Sequence, residues 1–307
     1  MKYSRMYGFV RSRQLEGTFQ NSKQIGTWVS TGMRVMKGWG NVEESLWPIN
    51  GNEWPPKEPP EIDQKAKANR IFAYHRASTI DECRILLASE MPVIIALEID
   101  DSWSNPPKGI IPIPDKDQFI TGSHSVCLYG YEDYLKRFLI LNSWGLTWGD
   151  NGFGYLPYEY FPERFLEGWT FLRPLYLHPP IDKISKIKVT TWGTKDSFGN
   201  MLHGVEINDV NEDEMIGWGF AIERNNVLEL EELFVRPNWR EKGFASKIAK
   251  EFITLSDSLR KKLKVWIPHP DVVDSNLKGL HAILDSLNIT YSSSPVRWAS
   301  GVGISGN

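Results

Sequence analysis

Cysteine, histidine and asparagine are the side chains here whose spacing could do nucleophilic chemistry. The stretch Ser123 to Pro157, SHSVCLYGYEDYLKRFLILNSWGLTWGDNGFGYLP, carries His124 entering one apolar run and Asn142 ending the next. A thiol attacks at neutral pH when a base lies within hydrogen-bond reach and a further group orients that base. An asparagine amide can do the orienting. Two antiparallel strands joined through YEDYLKR would bring His124 and Asn142 side by side.

The thiol is harder to place. The sequence has only two cysteines, Cys83 and Cys127. Cys127 follows His124 by three positions in a predicted strand, so the two side chains belong to opposite faces. Cys83 falls inside the predicted helix TIDECRILLASEM, away from the free amides of a helix start that would stabilise a thiolate. Both read as packing residues. Neither sits in a CxxC pair, which argues against a zinc site or a disulfide framework.

A second group of residues has the makings of an anion site. VLELEELFVRPNWREKGFASKIAKEF (Val227 to Phe252) reads as strand, turn and helix. Free N–H groups at a helix N-terminus attract anions, and the macrodipole adds to this. Gly243 and Ala245 would let a pyrophosphate approach the backbone closely.

The elements that must hold these residues follow from pattern. PVIIALEI, HSVCLYGYE and RFLILNSW read as strands. SKQIGTWVSTGMRVMKGWG reads as a helix ending at glycine, and TIDECRILLASEM as one with Thr79 as its N-cap. WPPKEPPEIDQ is a proline-bound loop. LHPPIDKIS (Leu177 to Ser185) marks a domain break, giving domains at 1–178 and 183–307. Beyond it come four strand-like runs, a glycine-containing turn, the long amphipathic helix GFASKIAKEFITLSDSLRKK, the strand LKVWIPHP and the helix NLKGLHAILDSLN. A length of 307 residues fits two domains.

The net charge of -3 excludes a general nucleic-acid binder. No apolar run is long enough to span a bilayer, and MKYSRMYGFVRSR lacks the apolar core of a leader, so a cytoplasmic, reducing setting is expected. Acidic EINDVNEDE reads as a solvated hairpin.

Two resemblances follow. GSHSVCLYGYE and LNSWGLTWGDNGFGYLPYEYF resemble the histidine strand and asparagine motif of the papain-like cysteine peptidases. GNVEESLWPI and SRMYGFVRSRQLEG resemble upstream segments of that family, so the likeness covers about residues 4 to 175. It implies that His124 is the general base, Asn142 its orienter and Trp144 their shield. The family's nucleophile opens a long helix near the start of the mature enzyme. This sequence shows neither that helix nor the upstream glutamine, and begins after the point where the helix should end. The first domain thus reads as a partial papain-like fold, an antiparallel β-barrel lobe plus helices, lacking its cysteine.

LFVRPNWREKGFASKI resembles the acetyl-CoA motif of the GNAT N-acetyltransferases, with the likeness covering about residues 185 to 303. It implies that the amides of Arg240, Glu241, Lys242, Gly243, Phe244, Ala245 and Ser246 hold the pyrophosphate. Leu233, Phe234 and Val235 would meet the pantetheine arm, and Asn276 would lie near it. An amine attacking a thioester needs a base. Glu229, eleven residues before Arg240, is the candidate, while the acid for the leaving thiolate is unassigned.

The expected protein is therefore α+β, a papain-like domain followed by a GNAT acyl-CoA N-acyltransferase α/β domain. Its expected activity is N-acetyl transfer, with acetyl-CoA as co-substrate and no metal. The acceptor is a peptide, protein or small-molecule amine, and the oligomeric state is unread. Alternatives are a cysteine-type peptidase completed by an upstream segment or partner, and a binding protein with both sites degenerate.

Overall fold

The computed structural model describes residues 2–22, 26–49, 54–115, 118–172, 187–196, 199–211, 213–240, 242–267, 282–285, 287, 289 and 291–293. Two compact units divide the chain, one built up to Arg173 and the other from Pro174 to Trp298. The proposed break at Leu177–Ser185 lies outside the described residues.

The first unit opens with two helices, α1 (Arg5–Leu15) and α2 (Val29–Gly38). Ser4 caps α1 by accepting the Tyr7 N–H at 3.0 Å. Tyr7, Val10, Val35, Val42 and Trp47 form a local core. Charge enters this core under control: Arg11 bonds Asp63 at 2.8 Å and Glu58 at 2.5 Å while lying over the Tyr7 and Trp47 rings. The loop read across Trp54 to Gln64 closes into a short helix, α3 (Ile62–Ala66), once its prolines are passed.

The rest of this unit is a six-stranded sheet. Its strands are β1 (Ala73–Arg76), β2 (Val93–Ile99), β3 (Gly122–Glu132), β4 (Arg137–Leu141), β5 (Phe153–Pro157) and β6 (Phe165–Leu172), in the order β1-β6-β2-β3-β4-β5. All neighbouring pairs are antiparallel. Two helices complete it, α4 (Ile80–Ala88) and α5 (Tyr160–Arg164). Thr79 caps α4 through the Glu82 N–H, as its place in the sequence implied, and the Glu82 carboxylate reaches back to the Ser78 N–H.

Helix α2 begins later than its pattern implied, at Val29, and its neighbour Trp28 gives no side-chain cap. The cap comes from far along the chain. Glu167 on β6 accepts the Val29 N–H at 2.6 Å, the Ser30 N–H at 3.2 Å and the Trp169 indole N–H at 2.8 Å. Glu16 accepts the Trp28 N–H at 2.9 Å. Burial pushes both carboxyls above their ordinary range, against the pull of these bonds. Glu167 thus ties the helical part of the unit to its sheet.

The second unit is a six-stranded sheet in strict chain order. β7 (Ile187–Lys195), β8 (Met201–Asp209), β9 (Glu214–Arg224) and β10 (Val227–Val235) are antiparallel. α6 (Phe244–Leu259) then returns the chain to β11 (Lys262–Ile267), parallel to β10, and β12 (Tyr291–Ser293) is parallel to β11. Ile248 and Phe252 of α6 close over Val205, Ile207, Ile216 and Leu230. Gly217 and Gly219 give them room, since a Cβ on Gly219 would meet the Phe252 ring at 2.6 Å.

Replacing Glu167 with alanine strands two backbone donors and an indole donor in the interior. We expect a loss of about 3 kcal/mol, because each unsatisfied buried polar group costs about 1–3 kcal/mol. Urea unfolding followed by tryptophan fluorescence measures it, with Asp81→Ala, whose exposed carboxylate pairs with Arg84, as the near-neutral control.

Candidate active site

His124 stands on β3 opposite Leu97 of β2. It shares strand parity with Val126 and Leu128, both buried, so its ring points to the core side of the sheet. Leu141 ends β4 opposite Cys127, and Asn142 follows it. A Gly152 carbonyl holds the Asn142 N–H at 3.0 Å. The loop back to β5 closes through Gly149, whose φ of 57° and tight fit against the Phe153 carbonyl suit only glycine. That loop presents Trp144 and Trp148.

The Asn142 Oδ1 lies 2.8 Å from His124 Nε2 and 2.7 Å from the Ser143 backbone N–H. A backbone N–H can only donate, so the atom facing it must be the carbonyl oxygen of the amide. The same oxygen then faces His124, and Nε2 must carry the hydrogen. The lone pair of the neutral ring is left on Nδ1. Local geometry therefore fixes the tautomer of a base.

Aromatic rings enclose the imidazole. Trp144 lies over it with centroids 4.5 Å apart, and Trp103 meets it edge-on at 6.3 Å. Burial pushes the His124 pKa below its ordinary value, and the Asn142 bond offsets part of this by favouring the charged form. The Asn142 Nδ2 atom is buried without a hydrogen-bond partner.

Neither cysteine joins this pair. Cys127 falls between the buried Val126 and Leu128, on the other face of β3 from His124. Cys83 is fully buried in α4, and burial, with Glu82 adding to it, pushes its thiol up to about 12. At neutral pH such a thiol is almost wholly protonated. Among the described residues no cluster of three metal-ligating side chains occurs, and no helix is long and apolar enough to cross a membrane.

The residues singled out in the second unit separate. Glu229 sits where β10 and β11 are still paired, opposite Lys264, with Arg224 at 3.6 Å. Pairing with β11 covers only Val227–Leu230, and a bulge follows at Glu231. Leu233, Phe234 and Val235 pair with β9 alone among the described pairings. Gly243 precedes α6 at φ 80° and provides no side-chain cap, so Phe244, Ala245 and Ser246 form the first turn. The Arg240 Nε bonds the Val235 carbonyl at 3.1 Å, and Lys242 lies over the Trp239 ring. Glu241 and Asn276 lie outside the described residues, as does most of the predicted helix NLKGLHAILDSLN.

Comparison with known proteins now has geometry to rest on. Residues 19–160 match the family model described as papain family cysteine protease. An uncharacterized peptidase C1-like protein of Acanthamoeba polyphaga mimivirus is 27% identical over 175 residues, 53% of this chain and 56% of the viral protein. Gamete and mating-type specific protein A of Dictyostelium discoideum is 32% identical over 85 residues, 27% of this chain and 18% of that protein. The chain therefore spans about half, or less, of the length of these curated relatives. Among solved structures, xylellain, a cysteine protease from Xylella fastidiosa, superposes with a TM-score of 0.51 at 26% identity, covering 56% of this chain and 70% of that one.

The first unit has a papain-like fold of mixed α+β content, and residues 19–160 carry its similarity to the cysteine peptidases. These relatives favour the peptidase reading over the acetyltransferase one, and give the GNAT resemblance no support. Trp103, Trp148 and Tyr160 surround the site without having been singled out for it. Trp148 and Tyr160 lie inside the quoted asparagine motif, which gave them no role, and Trp103 follows the local cap at Asp100, with nothing to announce a distant contact.

The lowered His124 pKa has a consequence for stability. As pH falls, the unfolded chain takes up this proton before the folded one, so stability is full above the ordinary value of 6.5. It is lost as pH falls from there through the folded value. Urea unfolding at about pH 7 and about pH 5 should show a drop in wild type that His124→Gln reduces, because glutamine binds no proton.

Proposed function

We propose that the first unit is the base half of a cysteine-type peptidase centre, completed by a thiol from outside residues 1–307. An upstream segment or a partner chain would carry it. The observation that supports this most is the shared Asn142 oxygen, which leaves Nδ1 of His124 as a base. The buried, unpartnered Nδ2 of Asn142 agrees with a site lacking one of its pieces. In the complete centre, Nδ1 removes the thiol proton as sulfur bonds to the acyl carbon. The imidazolium returns that proton to the departing amine, and water then releases the acid by the same route.

Chemical complementation tests this directly. The isolated chain should cleave no peptide and should resist thiol-directed epoxides, since neither of its cysteines is activated. Added cysteamine with an activated aryl ester should be turned over faster than in buffer. His124→Gln should remove that gain, and Asn142→Ala should reduce it by about tenfold, less than the ~10²–10⁴-fold that a general base itself contributes, because the amide only orients the ring. Equal rates for wild type and His124→Gln would end the proposal.

A second reading concerns the other unit, and one observation favours it. Among the described residues β10 and β11 are paired at Val227–Leu230, while β10 beyond the bulge pairs with β9 alone, just before the start of α6. A main chain open on one side beside a helix N-terminus suits an acyl-CoA arm and its pyrophosphate. On this reading acetyl-CoA is the co-substrate, and an amine of a peptide, protein or small molecule is the acceptor. Glu229, paired with Arg224 beside Lys264, is poorly placed as its base. Calorimetric titration should show acetyl-CoA binding that Gly243→Asp removes by adding both strain and charge. No heat from wild type at millimolar cofactor would dispose of it.

A further inference from the structure

The rings around His124 form a closed circuit. Trp144 lies over the imidazole and meets Trp148 edge-on at 5.9 Å. Trp148 stacks with Trp103 at 6.4 Å, and Trp103 returns to His124 at 6.3 Å. Stacking alone is weakly directional, at about 0.5–1.5 kcal/mol per pair. Such a circuit needs hydrogen bonds to hold one arrangement.

Those bonds lead to Tyr160. The Trp148 indole N–H donates to the Trp103 carbonyl at 2.6 Å. The Trp103 indole N–H donates to the Tyr160 hydroxyl at 2.8 Å, which in turn donates to the Glu98 carbonyl at 3.0 Å. Trp103 and Tyr160 are almost fully buried. Asp100 caps the turn that presents Trp103, through the Ser102 N–H at 2.9 Å. Tyr160 opens α5, so the anchor comes from a different element than any ring it steadies. The charged groups near its hydroxyl are Asp100, Glu98 and Arg164, and burial keeps the phenol protonated.

We propose that Tyr160 is a positioning residue for His124, acting through the indole of Trp103. This rests on reading His124 as the base. Tyr160 touches neither the imidazole nor any reacting atom. Its hydroxyl fixes the rotation of Trp103, and that ring fixes how deeply the imidazole is shielded from water. Asn142 sets which nitrogen carries the proton, while Tyr160 sets the environment in which that proton is exchanged.

Imidazole nitrogen NMR of the full chain tests this without requiring turnover, with His124→Gln assigning the signal. Tyr160→Phe keeps the ring and removes the bond. It should move the His124 midpoint up towards its ordinary value by about half a pH unit, because lost shielding favours the charged form. Exchange of the Nε2 proton should quicken several-fold. Trp103→Phe should shift it in the same direction and at least as far, because it removes part of the shielding ring as well as the bond, and the double variant should not exceed Trp103→Phe.

A Tyr160→Phe protein with wild-type unfolding behaviour and a wild-type His124 titration would overturn the proposal. Should Tyr160→Phe fail to fold, Trp103→Phe carries the same two outcomes. A His124 shift in variants of a protein that shows no thiol complementation would sink the peptidase reading and leave the positioning role standing.

Discussion

One oxygen atom organises the candidate centre. Asn142 Oδ1 accepts from a backbone N–H whose polarity is beyond dispute, and everything about the imidazole follows from that. A carboxylate in the same place would accept both bonds, but it would also stabilise the imidazolium. The neutral amide orients the ring and leaves the setting of its charge to its surroundings. The strand pairing serves this contact. Leu97 on one side of β3 and the β4 register on the other put His124 and Asn142 on one face, and Gly152 pins the asparagine backbone.

The same dependence on single polar contacts recurs at the base of the unit. Apolar packing is not specific about which helix lies on which strand. Donors converging on the Glu167 carboxylate are specific, because any shift of α2 against β6 leaves buried N–H groups unpaired. Desolvation disfavours the charge, and the α2 macrodipole with these hydrogen bonds offsets part of it. Hydrophobic burial drives the assembly, and this carboxylate selects its geometry.

Much of this was legible in the sequence because its rules are local. Alternation across HSVCLYGYE predicts that Cys127 turns away from His124, and it does. Thr79 announces the start of α4, and the Leu-x-Val-x-Pro run marks the end of β10. The rest depends on contacts that no local rule encodes. Glu167 meets Val29 across 138 positions, and Tyr160 meets Trp103 across 57. Glu229 shows a subtler limit. Its distance from the turn was counted correctly, but a bulge and the pairing with Lys264 decide what the side chain faces. Counting along a strand locates a residue, whereas register decides its chemistry.

The depressed His124 pKa agrees with the absence of a thiol partner from these residues. A buried imidazole between two indoles, with only a neutral amide as partner, is uncharged at neutral pH. It can accept a proton but has no anion to share it with. A thiolate within about 4–6 Å would favour the imidazolium, and an opposite charge at that range moves a pKa by about 1–3 units. That acts against the effect of burial. On the proposed reading the nucleophile would do more than attack, because its charge would turn a neutral base into half of an ion pair. In residues 1–307 the geometry of the base is set, and its charge state waits on the group that completes the pair.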